Sequence, residues 1–400
     1  MKTLEFIKSL DDRSSSNIRS LIYKKSIMSS YSDDGRMIFY NSKNTRFNNP
    51  SELNDLWAET NGLVVDVLNL KILVTPPLTF RSNIDVQLVN TYLSNNMYDI
   101  LLIEDGTVFN LYYWEPLNSW RISTSRGYDM GDCKYSHITY KDIIKELIEL
   151  NNIEEQEFYD SLNKNSSYTF GFKHSSMHAF WEGNEAPINY MWFIQSVDEN
   201  GVVSYDFDKF GIKTQKKYNQ VNSTKLLFNE IKNSLDNFIN EKQVLYGFIL
   251  RSRNPTVTGL HSNIMLESSL LQKIRQLYYH SSINEISQKK NYNRELYIII
   301  NSYLNHNLNE VFIELFPQHR DKYEELDRIT DNLIKSINAL VNNTPESTNE
   351  NLNIVSNIIH ESMNRVFTLT PRNRQNSRII SSYLLNAKYV DFYYSLFNKE

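Results

Sequence analysis

Residues 98–130 read YDILLIEDGTVFNLYYWEPLNSWRISTSRGYDM, and the fold is decided in this stretch. An apolar run from Tyr98 to Ile103 ends in Glu104-Asp105-Gly106, a second run from Thr107 to Trp114 follows at once, and a third reads Arg-Ile-Ser-Thr from Arg121. β-Branched and aromatic residues fill all three, as expected of strands. Asp-Gly suits a turn, because Gly adopts backbone conformations closed to other residues and Asp hydrogen-bonds its own backbone. Three strands in succession are predicted, with Trp114 closing a hairpin.

Outward from this stretch the same pattern repeats. RMIFYN (36–41) and GLVVDVLNLKILVTPP (62–77) read as strands on the N-terminal side, and YTFGF (168–172), NYMWFIQSV (189–197), VVSYDF (202–207) and VLYGFILRS (244–252) on the C-terminal side. Ser136 to Ser161 carries apolar residues at three- and four-residue spacing with charges between them, which predicts one surface helix. STKLLFNEIKNSLDNFINEK (223–242) predicts another. The first two thirds are therefore α+β with an antiparallel-sheet core. Beyond Ser268 every apolar segment has helical periodicity, from LLQKIRQLYY to NIVSNIIHESMNRVF, with stops at Phe316-Pro317 and Pro345. Two domains are expected, 1–270 and an all-helical 271–400.

Composition narrows the class. With 400 residues, 40% hydrophobic and 13% aromatic, the chain has ample material for packed cores. Lys+Arg 42 against Asp+Glu 47 leaves a net charge of -5, so any basic, anion-binding surface is local. The single Cys133 excludes an internal disulfide and a cysteine zinc cluster and suits a reducing, cytoplasmic setting. No apolar run approaches the ~20 residues of a membrane span. Abundant Asn, Ile, Tyr and Lys with only 11 Gly is the bias of AT-rich coding, as in a large DNA virus.

The order of these pieces resembles the nucleotidyltransferase core of phage-type ATP-dependent RNA ligases, an ATP-grasp-like fold, over roughly residues 30–275. That family's nucleophile motif is Lys-x-Asp-Gly followed by Ser or Thr; IEDGT matches it except that Ile103 stands at the lysine. WAETNGLVVDVLNLKILVTPPLTFR is similar to the region reading Glu-x-Arg-Gly, an apolar strand, a proline and Lys-Phe, with Asn61 at the arginine, Thr79 at the lysine and Arg81 nearby. YTFGFK falls where an aromatic strand ends in Glu and places Lys173 there; LYGFILRS falls at the Glu-Gly strand and places Tyr246 at its glutamate. Met265 and Glu267 stand at two flanking lysines of the last motif. The helical tail is similar to the region that helps select RNA in such ligases.

In that family a lysine attacks the α-phosphate of ATP, and phosphate charge is balanced by Lys, Arg and Mg²⁺ held on carboxylates. Isoleucine forms no phosphoramidate. The resemblance thus implies a catalytically inactive, RNA-ligase-like protein with no cofactor and no metal site, using the old groove or the helical tail for RNA, nucleotide or protein binding. The alternatives are an active ligase with a relocated lysine, ATP and Mg²⁺, or a structural subunit such as a virion component. Candidate nucleotide- or RNA-binding residues are Arg81, Glu104, Asp105, Gly106, Arg121, Lys173, Arg251, Arg372, Arg374 and Arg378. Glu104-Asp105-Gly106 reads equally as a plain turn. Lys71 and Lys134 read as solvated surface, His174 and His178 as packing residues, and Lys213, Lys216 and Lys217 as an exposed loop.

Overall fold

A computed structural model describes residues 1–25, 27–41, 55–78, 89–90, 98–135, 138–175, 189–218, 224–241, 243–253, 263–279, 294–304, 312–313 and 319–341. The chain divides into two compact units, Met1–Leu271 and Gln272–Glu400.

The first unit opens with α1 (Lys2–Lys8) and α2 (Ser15–Tyr23), then β1 (Ile27–Tyr31), β2 (Arg36–Asn41), α3 (Asp55–Glu59), β3 (Leu63–Asp66) and β4 (Lys71–Val74). The four strands pair antiparallel in chain order. Alternation along a strand sends neighbouring side chains to opposite faces, and both faces here are apolar. Met37, Phe39, Leu63 and Val65 pack on Ile7, Ile18 and Ile22 of the helices. Ile38, Val64 and Val74 pack on Tyr112 and Trp114 of the next layer.

The chain continues through β5 (Tyr98–Leu102), β6 (Thr107–Trp114), β7 (Ser119–Ser123), β8 (Lys134–Tyr135), β9 (Ile138–Thr139), α4 (Tyr140–Leu150), α5 (Glu155–Ser161), β10 (Ser167–Lys173), β11 (Tyr190–Val197) and β12 (Val203–Ser204). After these come α6 (Thr224–Glu241), β13 (Gly247–Ser252), β14 (Ile264–Glu267) and α7 (Ser269–Tyr279). The expected single helix over 136–161 is two, because the chain leaves helical geometry at Asn152 (φ 58°) before α5 begins. The apolar spacing is that of a surface helix with a buried side, which Ile143, Ile144, Leu147 and Ile148 supply.

β12-β11-β10-β6-β7 form one sheet and β14-β13-β5 another. The expected α+β, antiparallel architecture is what the structure has. One face of the five-stranded sheet carries Phe109, Leu111, Phe170, Phe172 and Phe193 against the apolar sides of α4 and α5. The opposite face carries Asn110, Ser123, Thr169, Lys173 and Gln195, all nearly inaccessible. Thr169 donates to Asn110 Oδ1 at 2.8 Å, and Asn110 Nδ2 donates to Ser123 Oγ at 3.3 Å, so the face is buried and internally hydrogen-bonded.

In the three-stranded sheet, Tyr98, Phe248, Leu250, Ile264 and Leu266 pack with Leu227 of α6. By alternation the other face presents Asp99, Leu101, Ile249, Arg251, Met265 and Glu267. Residues 213–218 link the sheets. Their backbone bonds Phe193 of β11 through Lys213 and Gln215, and Ile100 and Leu102 of β5 through Tyr218 and Lys216. Lys213, Thr214, Lys216 and Lys217 are exposed, as expected of a loop, while its backbone is a joint between the sheets.

In the second unit the described residues beyond α7 include α8 (Arg294–Tyr303) and α9 (Arg320–Val341). Tyr303 donates to Asp327 Oδ1 at 2.7 Å, tying α8 to α9, and Phe312 stacks on Tyr323 with ring centres 5.4 Å apart.

Candidate functional site

Glu104-Asp105-Gly106 does not close a hairpin. β5 pairs with β13 in one sheet and β6 with β10 and β7 in the other, so the turn carries the chain between sheets and brings their inner faces together. Ile103 continues β5, its amide donating to Gly247 O at 3.0 Å, while Gly247 pairs with Glu267 across β13 and β14. From the other sheet the Lys173 ammonium reaches Asp105 Oδ2 at 3.8 Å, with both side chains largely buried. Tyr190 donates to Glu104 Oε2 at 3.4 Å.

Electrostatics mark these groups as neighbours. Burial raises the Glu104 carboxyl above its ordinary 4.5, against the pull of Tyr190, Lys216 and Lys173. Burial also pushes the Tyr246 phenol up, with Asp105, Tyr190 and Glu104 adding to it. The Tyr190 phenol rises for the same reason, with Glu104 next. Two carboxylates, two phenols and the lysines 173 and 216 therefore share one locus.

Its floor is aromatic. Trp192 lies across Gly171 and Gly106: a Cβ on Gly171 would sit 2.2 Å from the indole, and one on Gly106 would sit 2.7 Å from it and 2.3 Å from Phe172 O. Tyr190 stands beside Trp192 at 5.4 Å between ring centres. Among the described residues the Trp192 indole N–H is buried without a hydrogen-bond partner.

Of the residues singled out by sequence, Ile103, Glu104, Asp105, Gly106, Lys173, Tyr246 and Glu267 come together here. Met265 lies two residues along β14, opposite Ile249. Arg251 is on the same inner face but four residues along β13, paired in register with Asp99. Arg121 does not belong to the site. It lies on β7 opposite Tyr112, five residues along β6 from Thr107, and pairs with Asp129 at 3.5 Å beside Arg36; sequence could not reveal that this acid would claim it. Arg81, Arg372, Arg374, Arg378, Thr79 and His178 lie outside the described residues. Lys71 pairs with exposed Glu115 at 2.8 Å, and buried His174 meets Glu146 at 3.1 Å. Sequence reasoning missed Tyr190, Trp192, Asp99, Tyr205 and Arg253, whose only signal was their place beside strand ends.

A divalent cation fits the locus poorly, because Asp105 faces an ammonium. Among the described residues no three His, Cys, Asp or Glu side chains cluster as metal ligands. Among them, too, no helix is long and apolar enough to cross a membrane.

No protein-family model matches the chain. A "Putative RNA-ligase" of African swine fever virus is 28% identical over 311 residues, covering 69% of this chain and 66% of the relative. The chain thus spans just under two thirds of that relative's length. An archaeal ATP-dependent RNA ligase of known structure aligns over 85% of this chain and 83% of its own at 12% identity and a TM-score of 0.45. A Naegleria gruberi RNA ligase mutant solved with ATP and Mn aligns over 64% and 82% at 10% identity and a TM-score of 0.34. Structural overlaps this slight bear on neither chemistry nor ligands.

Proposed function

We propose that this RNA-ligase-like chain, whose relatives are viral, is a non-adenylylating protein that binds RNA. One observation carries the reading: the turn that would present a nucleophilic lysine presents Ile103, and the groups converging on it do not replace the lost chemistry. Transfer of a nucleotide to lysine needs an amine free to attack phosphorus and cations to meet the developing charge. Lys173 is held against Asp105. Glu267, beside Gly247 in register, adds negative charge where a triphosphate would require positive. Tyr190 and Tyr246 are phenols whose ionisation burial opposes, so neither serves as a nucleophile near neutral pH.

A second reading, an active ligase using ATP and Mg²⁺ with a relocated lysine, has one feature in its favour. Lys173 brings an ammonium to the same turn from the opposite sheet.

The test is incubation of the full chain with α-labelled ATP, and separately GTP, with Mg²⁺ or Mn²⁺, followed by denaturing electrophoresis and peptide mass spectrometry. No covalent nucleotide is expected. A stoichiometric adduct on Lys173, or on any other lysine, overturns the non-catalytic reading and names the nucleophile.

A further inference from the structure

Arg251 is buried on the inner face of β13, only 7% exposed, and among the described residues it is only partly satisfied. A guanidinium carries five N–H donors and stays charged, so burying one calls for hydrogen-bonded acceptors. Its carboxylate partner, Asp99, stands 3.6 Å away, longer than an ordinary hydrogen bond. Its other close contact is the ring of Tyr205, 3.7 Å from the guanidinium carbon. Among the described residues Nε is buried without a hydrogen-bond partner. Asp99 is shared besides: Arg253 Nε lies 2.9 Å from one oxygen and Lys217 Nζ 4.0 Å from the other. One carboxylate thus faces three cations, with Asp206 adding a weaker negative influence.

We infer that Arg251, Arg253 and Lys217 form a phosphate-binding site for single-stranded nucleic acid. Arg251 is the buried anchor, and Arg253 and Lys217, with side chains 47% and 58% exposed, form the open rim. An incoming phosphodiester supplies the acceptors that Arg251 lacks and balances the excess charge. The shape of the charge favours a strand over a single anion. Lys216, next to Lys217, acts on Glu104, so cations run from that turn to Arg253. At ~3.3 Å per strand residue, Arg251 and Arg253 stand about 7 Å apart along β13, with Lys217 and Lys216 beside β5, a run of cations of the kind that tracks a polynucleotide backbone; the acids Glu104, Asp105 and Glu267 at the Gly247 end lie outside it. Burial holds the Arg251 guanidinium below its ordinary pKa, so a bound anion relieves a strain already present. The inference rests on RNA being this chain's ligand.

The experiment is fluorescence anisotropy of a labelled, unstructured oligoribonucleotide with the full chain, across a series of salt concentrations. Arg251→Gln and the rim double variant Arg253→Gln/Lys217→Gln are compared with wild type, and thermal unfolding checks each fold. Each lost phosphate contact is expected to weaken binding about tenfold and to reduce the slope of log K against log salt by ~0.7. The rim variant, altered only at accessible side chains, keeps the test valid should Arg251→Gln fold poorly. Wild-type binding that neither variant changes overturns this site and leaves RNA binding itself standing. No wild-type binding even at low salt overturns both. Competition separates the phosphate sources: unlabelled oligoribonucleotide is expected to displace the probe far better than ATP or inorganic phosphate. Equal displacement by ATP reassigns the site to mononucleotides and overturns the polynucleotide assignment.

Discussion

Glu104 shows how a single side chain reports the character of the inter-sheet site. Burial raises its carboxyl above 4.5 despite Lys216, Lys173 and the Tyr190 hydroxyl. A carboxyl whose folded pKa lies above its unfolded value costs the fold stability once pH exceeds the unfolded value, because the unfolded chain ionises it more easily. Glu104→Gln, which keeps an acceptor for Tyr190, is therefore expected to stabilise the protein at pH 7. The gain should vanish as pH falls below about 4.5, and urea unfolding at both pH values checks it. Destabilisation at pH 7 would mean that the Tyr190 hydrogen bond and the attraction of Lys216 and Lys173 outweigh its desolvation. The turn composition, Glu-Asp-Gly, was legible in the sequence. Lys173 was nominated too, through the resemblance, but its pairing with Asp105 was not legible, because Lys173 lies 68 positions further along and its ammonium arrives only when β10 pairs with β6.

Between elements, Arg36 is the fastener. It leaves β2 buried, makes paired contacts to Asp34 at 2.9 and 2.6 Å, and reaches Tyr112 OH at 2.9 Å and Asp129 at 3.1 Å. Its guanidinium also lies 5.0 Å from the Trp114 ring and 5.1 Å from that of Tyr128. It thereby ties the N-terminal meander to β6 and the loop beyond β7. Removing one partner of such a network strands the others, so Arg36→Met is expected to cost about 3–5 kcal/mol in denaturant unfolding. A cost under ~1 kcal/mol would show that the apolar contacts of Ile38, Val64 and Val74 hold the sheets without it.

The same network carries a pH signature. Burial alone would raise the Asp34 carboxyl, but hydrogen bonds from Arg36 and Ser32 outweigh it and hold it at about 2. A lowered folded pKa contributes stability that is fully present above the unfolded value of 3.8 and lost as pH falls toward about 2. Asp34→Asn is expected to flatten that part of the acid-unfolding curve. An unchanged curve would remove Asp34 from the account.

For the whole molecule, the proposed loss of chemistry is distributed rather than local. Ile103 ends one strand of the three-stranded sheet, Glu267 ends another, Tyr246 precedes a third, and Lys173 comes from the five-stranded sheet. Ile103→Lys alone is therefore expected to give no adduct with labelled ATP, because Met265 and Glu267 still supply no cation for the phosphates. An adduct in that single variant, read by peptide mass spectrometry, would show that the surrounding site retains nucleotide chemistry. The net charge of -5 likewise conceals the row of cations beside β5 and β13, since a whole-chain sum cannot register which charges share a face.

The local elements follow from the order of residues alone, because strand and turn preferences and the alternation of apolar side chains are properties of short stretches. That order marked the runs that became β5, β6, β7, β10, β11 and β13, and it carried the resemblance at the Ile103 turn. That β5 leaves β6 for β13, a partner some 150 positions away, is a matter of long-range pairing that no short stretch encodes. That exchange faces the two sheets toward each other, sets Asp105 against Lys173, and collects Arg251, Arg253 and Lys217 around Asp99. Arg121 reads no differently from Arg251 in one dimension. Strand register gave Arg121 to Asp129 in the structural network and left Arg251 buried with too few acceptors, because pairing between distant strands fixes which charges meet.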